Sequence, residues 1–517
     1  MTPGQLVAWA ADRYGTREAV VDGARRFSFR EVHRRTNRLA NALVGLGCGV
    51  GDRAALLLPN RAEVVETLLG ASKAGCARVA LNTRQAIPEH AFILNDSGAA
   101  VLVVDQAFRE LVPPLREQCP SLRHVIGVGW GERDVLDYDL LLDQASDRNP
   151  AVEVRPDDLE RVFYTSGTSG RPKGVINTFR TFQACLRTFF LNVEYRLGSQ
   201  DSMVHAGPLT HAPGNYVYPY LARGARNIIL PRFEPGLLLA TVERERATTL
   251  LLVPTMLTFL LESDERSRYD LRSLHTINYG AAPTPEALIC RGIEAFGPIF
   301  RQHYGLGEAH QPITVLRPDE HALDGPARRR LASCGKPALG VELRVVGDEG
   351  EEAKVGEVGE VCLRGDNVMP GYWRNPAATA EAIRDGWLHT GDVARQDEEG
   401  YLYIVDRKKD MIISGGFNVY PREVEEVLYQ HPAVQDAAVF GIPDERWGEA
   451  VMAAVVLRSG CQATANDLRA FCAGKIAGYK RPRAIEFLAS LPTNAAGKVL
   501  KRTLREPYWQ GHERQVV

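Results

Sequence analysis

The stretch Tyr164-Thr165-Ser166-Gly167-Thr168-Ser169-Gly170-Arg171-Pro172-Lys173-Gly174 decides how the rest of this sequence reads. It holds three glycines, four aliphatic hydroxyls and two cations, and almost nothing that a core could bury. Glycines let backbone N–H groups close on an anion, while hydroxyls and an ammonium add donors and charge. The chemistry points to a phosphate. Val162 and Phe163 precede the stretch, so it reads as a loop leaving a strand. A P-loop requires Gly-Lys-Ser/Thr after a four-residue spacer. Here Pro172 stands before Lys173 with no N–H to give, and Gly174 replaces the magnesium-binding hydroxyl. A nucleophile elbow needs glycine two residues after its serine, and Ser169 is followed there by Arg171.

At 517 residues the chain exceeds what one hydrophobic core supports and implies two or more domains. A net charge of −2 gives no electrostatic footprint for nucleic acid or an anionic membrane. The nine cysteines are scattered and odd in number, with no C-x-x-C pair, which argues against a zinc site or a disulfide framework and for a reducing, cytoplasmic location. Asp12 and Arg13 stand where a signal peptide would need apolar residues, and the longest apolar run, Leu250 to Leu261, is too short to span a bilayer.

From about residue 29 to 253 helical and strand patterns alternate: helices at Phe29 to Leu46, Glu63 to Ala74, Thr178 to Leu191 and Leu237 to Arg246, and strands at Ala54 to Leu58, Val101 to Val104, Ile228 to Leu230 and Thr249 to Val253. Alternation of this kind implies parallel sheets covered by helices. Between about 335 and 405 short strands and Gly-rich turns indicate an antiparallel meander or small barrel. From about 410 the pattern is a compact α+β unit.

The phosphate loop resembles the nucleotide signature of the adenylate-forming superfamily: acyl-CoA synthetases, beetle luciferases and the adenylation domains of peptide synthetases. Further segments agree in order. Tyr304-Gly305-Leu306-Gly307-Glu308 resembles the family's Tyr-Gly-x-Thr-Glu, which implies that Tyr304 packs on adenine and that Glu308, with Thr168, holds Mg2+. Gly307 stands where the family usually has threonine, leaving only a backbone N–H for the α-phosphate there. Gly280-Ala281-Ala282-Pro283 resembles the turn between acyl pocket and adenine, and Thr390-Gly391-Asp392 the segment whose aspartate takes the ribose hydroxyls. Asp406 to Pro421 resembles the hinge segment, implying a ribose or phosphate contact for Arg407, a pivot at Lys409, and a pantetheine tunnel lined by Gly415 and Gly416. Pro492 to Lys498 resembles the C-terminal signature whose lysine, here Lys498, serves adenylation.

The resemblance implies an α/β fold: an N-terminal domain, 1–408, of two β/α sheet subdomains plus a small β-barrel, and a smaller mobile α+β domain, 409–517, carrying the adenylation lysine. ATP would be held by Thr165, Ser166, Gly167, Thr168, Ser169, Gly170, Lys173, Gly280, Ala281, Ala282, Tyr304, Gly305, Asp392 and Arg407. His211 is the expected gate of an acyl pocket bordered by Asn215, Tyr279, Leu306 and His310, and Arg84 and Trp447 are expected to contact CoA. No aspartate occupies the position that would bind an amino-acid amine, so the expected substrate is a small-molecule fatty or aromatic carboxylic acid. ATP, Mg2+ and CoA are the implied cofactors, and a homodimer is left open. Loading of a carrier protein, or nucleotide binding without catalysis, are the alternatives that remain.

Overall fold

The structure, a computed structural model, describes residues 1–165, 172–193, 196–347, 349–415, 417–494 and 498–510. Among these residues the strands form four sheets. The first has seven strands, in the order Leu136–Asp137, His124–Val128, Val101–Asp105, Arg53–Leu57, Ala77–Ala80, Leu159–Thr165, Lys173–Thr178. It is parallel except for its last pair, Leu159–Thr165 with Lys173–Thr178, which is antiparallel. Thr165 stands opposite Lys173 in that register, so the phosphate loop joins two antiparallel strands rather than a strand and a helix. The second sheet has nine strands and is parallel from Phe300–Tyr304 through Glu18–Asp22, with antiparallel strands at both edges.

Helix Phe29–Gly45 begins at a capping box in which Ser28 and Glu31 satisfy each other's backbone N–H groups. Its apolar stripe, Phe29, Val32, Leu39 and Leu43, is buried. Helix Ala62–Lys73 is buried on every face. The reason is its neighbours: one core cluster unites Leu56 and Val103 of the seven-stranded sheet, Val20 and Ile229 of the nine-stranded sheet, and Leu68 of this helix. Gly70 lets it approach helix Phe29–Gly45, because a Cβ there would lie 2.7 Å from Leu39 Cδ2. Each such buried aliphatic side chain contributes about 1.5–3 kcal/mol of transfer free energy.

The antiparallel segment is a five-stranded sheet of Glu342–Val346, Val358–Arg364, Trp387–Gln396, Ile383–Arg384 and Leu402–Arg407. A three-residue turn, Lys408–Asp410, leads into the last sheet, built on the long hairpin Val434–Asp444 and Gly448–Leu457 and covered by helices Pro421–Tyr429 and Ala465–Cys472. The final unit therefore has its own core, in which Val424 and Leu428 of the first of these helices pack with Val439 and Ala453 of the hairpin. Among the described residues no helix is long and apolar enough to cross a membrane.

One buried ion pair ties the strand that carries the phosphate loop to its neighbour. Arg78 of Ala77–Ala80 lies 2.7 Å from Glu160 of Leu159–Thr165, with side-chain exposures of 7% and 0%. Removing one partner leaves a buried charge without compensation. Arg78→Met should lower stability by about 3–5 kcal/mol, and the double variant Arg78→Met/Glu160→Leu should recover most of it. Thermal denaturation of the three proteins checks this; a single variant as stable as the parent contradicts it.

Candidate active site

The sheet register of the five-stranded unit creates the site's electrostatic centre. Strands Trp387–Gln396 and Leu402–Arg407 run antiparallel with Asp392 opposite Arg407, and opposite charges placed this way attract. Arg407 Nε lies 3.0 Å from Asp392 Oδ1. Asp392 Oδ2 accepts a second bond, 2.6 Å, from the Tyr304 hydroxyl at the end of strand Phe300–Tyr304. Burial, then the Asp392 charge, holds the Tyr304 phenol well above its ordinary range, so it donates and does not ionise.

Lys498, of the C-terminal unit, lies close enough to this centre for its charges to act on the ammonium. Its backbone is fixed by Asn494, whose side chain accepts from Lys498 N at 2.9 Å and whose N–H donates to Lys498 O at 2.8 Å. Burial, then the Arg407 charge, lowers the Lys498 ammonium from its ordinary 10.5 to about 8, with Asp392 and Asp410 opposing the shift. The surroundings disfavour the cation on balance, which is the state an anionic ligand would relieve.

Glu308 accepts a 3.0 Å bond from the Tyr372 hydroxyl. The Lys173 ammonium lies 5.1 Å from the centroid of that same Tyr372 ring. Segment Gly371–Trp373 is stitched to the strand after the phosphate loop: Ile176 N–H donates to Gly371 O and Trp373 N–H to Gly174 O. On the other side of the hairpin, Tyr164 donates to Asp96 at 2.5 Å, and Asp96 O accepts from Trp373 Nε1. Tyr372, Trp373 and Asp96 are site-building residues that sequence reasoning missed; the aromatic pair in Gly371-Tyr372-Trp373 was the available signal. Ser166, Gly167, Thr168, Ser169 and Gly170 of the loop, and Gly416, lie outside the described residues. Thr165 sits against Gly307, where an added Cβ would be 2.7 Å from Thr165 Cγ2 and 3.1 Å from the Phe163 ring. The absent threonine at position 307 is thus matched by close packing of that turn on the loop's first residue.

Among the described residues no three His, Cys, Asp or Glu side chains converge as a metal cage. A single carboxylate such as Glu308 suits Mg2+, which keeps waters and shares phosphate oxygens rather than demanding an all-protein shell.

A largely apolar pocket, partly open to solvent, adjoins the turn Gly280-Ala281. His211, Tyr216, Tyr279 and His303 line it, with Leu251 and Met256. His211 precedes helix Ala212–Ala222 and meets the Phe163 ring edge-on at 5.8 Å. Burial, with Arg161, pushes its imidazole down to about 4, so it is neutral. Gly280 is required: its φ is +152° and a Cβ would be 2.3 Å from His303 O. Asn215 and His310 do not line this cavity. Both bond the buried Arg161 guanidinium, at 3.4 and 2.8 Å, and border a second, smaller cavity with Arg78 and Tyr218. Leu306 packs with Phe163 and Tyr304 in the neighbouring core, and Gly305 closes on Gln311, 2.5 Å from where a Cβ would sit. Ala282 accepts a 3.4 Å bond from Thr284, which stabilises the turn after Gly280.

Gly415 and Trp447 come together: Gly415 N–H donates to Trp447 O at 2.8 Å, and a Cβ on Gly415 would be 2.5 Å from the indole. Arg446 and Arg483 place guanidinium groups 5.0 and 4.6 Å from the Trp447 ring centroid. Lys480 is paired with Glu423 at 2.7 Å. Arg84 lies on a turn, its N–H donating to Asn82. Of the two C-terminal segments, it is the one bearing Lys498 that senses Asp392 and Arg407.

The family model described as AMP-binding enzyme matches residues 7–373, and the one described as AMP-binding enzyme C-terminal domain matches residues 423–498. The chain is 40% identical to a feruloyl-CoA synthase of Amycolatopsis sp, over 95% of this chain and 96% of the relative. It is 36% identical to the medium/long-chain-fatty-acid–CoA ligase FadD8 of Mycobacterium tuberculosis, over 99% and 91%. The crystal structure of the anthranilate CoA ligase AuaEII with anthranoyl-AMP superimposes with a TM-score of 0.90 at 30% identity, covering 98% of this chain and 97% of that one.

The Lys498 environment is directly measurable. A neutral amine is the nucleophile in chemical acylation, so labelling should reach half its plateau near pH 8 rather than 10.5. Arg407→Gln should move that midpoint upward, since Arg407 disfavours the ammonium. Mass-spectrometric labelling across pH checks both; a midpoint above about pH 10, the range of an ordinary lysine, contradicts the docked position.

Proposed function

The chain belongs to the AMP-binding enzyme family as an acid–thiol ligase of the acyl-CoA synthetase type, and from that premise we propose how its residues divide the reaction. In the first half-reaction a substrate carboxylate oxygen attacks the α-phosphorus of ATP; the bond to pyrophosphate breaks and acyl-adenylate forms. In the second, the CoA thiol sulfur bonds to the acyl carbon, the acyl–phosphate C–O bond breaks, and AMP and a proton leave.

The observation that carries this reading is Lys498, delivered by the C-terminal unit to the Asp392–Arg407–Tyr304 centre. Two anions must meet in adenylation, and a partly buried ammonium stabilises the charge that develops between them. Asp392, an acceptor only, suits the ribose hydroxyls. Arg407 is oriented by Asp392 toward ribose or phosphate. Lys173, held over Tyr372, and the donors of the phosphate loop take the β,γ-phosphates. Glu308 would hold Mg2+, which when bound would offset phosphate charge. His211, neutral and against Phe163, gates the acyl cavity. The apolar lining suits a fatty or aromatic acid.

Residues 1–408 and 409–517 act as two bodies with Lys409 as pivot, in the short turn Lys408–Asp410 between two sheets. Rotation about it withdraws Lys498 and brings the Gly415 turn to the adenylate. The Arg446–Trp447–Arg483 stack then offers cations to CoA phosphates. One hinge lets a single site serve two steps. The nine free cysteines support a cytoplasmic location.

Lys498→Ala should lower pyrophosphate release by about 10²–10³-fold while sparing thioester formation from supplied acyl-adenylate. Single-turnover assays of the two half-reactions check this, and equal loss in both refutes the role.

A further inference from the structure

Asp392 owes its place to an irregularity in its strand. Strand Val358–Arg364 pairs with Trp387–Gln396 at Glu360 opposite Val393 and at Cys362 opposite His389. Between those two pairs the first strand has only Val361, whereas the second has Thr390, Gly391 and Asp392. The second strand therefore bulges, three residues against one, and Asp392 is the last residue of the bulge. Gly391, at its middle, has φ +71°, a left-handed conformation that glycine adopts at no steric cost. A bulge interrupts the ladder and re-aims the side chains it carries, so whatever fixes the bulge fixes them.

Side chains hold this bulge. Thr390 Oγ1, inside it, donates to Val361 O at 2.8 Å and accepts from Asp392 N–H at 3.1 Å. Glu360 reaches it from the neighbouring strand: Gly391 N–H donates to Glu360 Oε1 at 3.0 Å. The Glu360 side chain is 15% exposed, and its other oxygen lies 3.4 Å from His389 Nδ1 and 3.9 Å from Lys408 Nζ. A carboxylate accepting from a backbone N–H makes one of the stronger hydrogen bonds in proteins. This one holds the peptide that enters Gly391, one residue before Asp392. Asp392 in turn presents its oxygens to Tyr304 and Arg407.

We propose that Glu360 is a positioning residue for the nucleotide: its bond to Gly391 N–H sets the bulge that aims the Asp392 carboxylate at the ribose hydroxyls of ATP. Glu360 thereby governs how the site tells a ribose from a deoxyribose, and it acts through Asp392 rather than by touching the nucleotide. This rests on the synthetase reading above, in which Asp392 takes the ribose.

The affinities of the full chain for ATP, 2′-deoxy-ATP and 3′-deoxy-ATP, measured by calorimetry with Mg2+, test it and need no acid. The parent should bind ATP about ten- to a hundredfold more tightly than at least one analogue, the worth of a hydrogen bond to a charged acceptor. Glu360→Ala should bring that ratio toward the value given by Asp392→Ala, and in the Asp392→Ala background it should change the ratio no further. Glu360→Gln keeps an oxygen within reach of Gly391 N–H and should keep the ratio. Glu360→Asp keeps the charge but falls a methylene short; it should lose the ratio, and it covers the case in which the alanine variant does not fold. A ratio that survives in whichever of the alanine and aspartate variants fold overturns the proposal. So does a ratio that the glutamine variant loses equally, which would make charge rather than reach the cause. A parent that binds ATP no more tightly than either analogue contradicts the ribose reading of Asp392 instead, an outcome distinct from discrimination that Glu360 does not influence.

Discussion

Asp392 is the acceptor on which the site turns. Its two oxygens are bonded to Tyr304 at 2.6 Å and Arg407 at 3.0 Å, and those partners come from different sheets. The carboxylate therefore ties the five-stranded unit to the end of strand Phe300–Tyr304 in the nine-stranded sheet. It also orients the cation beside which Lys498 arrives. Because burial and the Arg407 charge both act on Lys498, its ammonium is held below its ordinary range, a shift that an entering anion would oppose. The arrangement is poised for phosphate and carboxylate rather than complete without them.

Close backbone approaches surround that centre. Gly280 meets His303 O, Gly307 meets Thr165 and Phe163, and Gly415 meets the Trp447 ring, each too close for a side chain without rearrangement. Gly415 has φ +62°, so its turn also needs a left-handed residue. These contacts set the walls of acyl cavity, phosphate loop and proposed pantetheine turn respectively. The C-terminal unit is docked by a different kind of contact: Arg458 to Glu262 at 3.2 Å, Gln435 to Glu262 at 3.3 Å, and the Glu286 N–H to the Glu426 carboxylate. Partly exposed pairs of this sort contribute little individually, which suits the proposed rotation of this unit.

Local patterns were legible in the sequence because periodicity is a local property. The stripe of Phe29–Gly45 and the apolar runs Arg53–Leu57 and Val101–Asp105 lie within a residue or two of where spacing puts them. The phosphate loop stood out because its residues offer a core almost nothing to bury, whereas Asp392, Arg407 and Lys498 were singled out by the resemblance of their segments to the family's, and the structure pairs the first two. Helix Ala212–Ala222 was not, since Gly214 and Pro219 oppose helix formation; burial of Val217, Tyr220 and Leu221 overrides propensity. Pairings between distant segments were not legible either. Nothing local in the sequence joins Tyr372 to Glu308, Asp96 to Tyr164, or Tyr216 to His303. Asn215 and His310 show the same limit: they stand beside pocket residues in the chain, yet their side chains turn to Arg161.

In the proposed mechanism the docked orientation of the C-terminal unit is one of two that the reaction uses, and tethering it is the most direct test. Glu262→Cys and Arg458→Cys, with the exposed Cys461 replaced by serine, place thiols across the interface. A short bis-maleimide would join them. The cross-linked protein should release pyrophosphate and accumulate acyl-adenylate, yet form no CoA thioester, while the same variant without cross-linker forms it. Thioester appearing at the same rate in the cross-linked protein would contradict a site served twice by rotation of one domain.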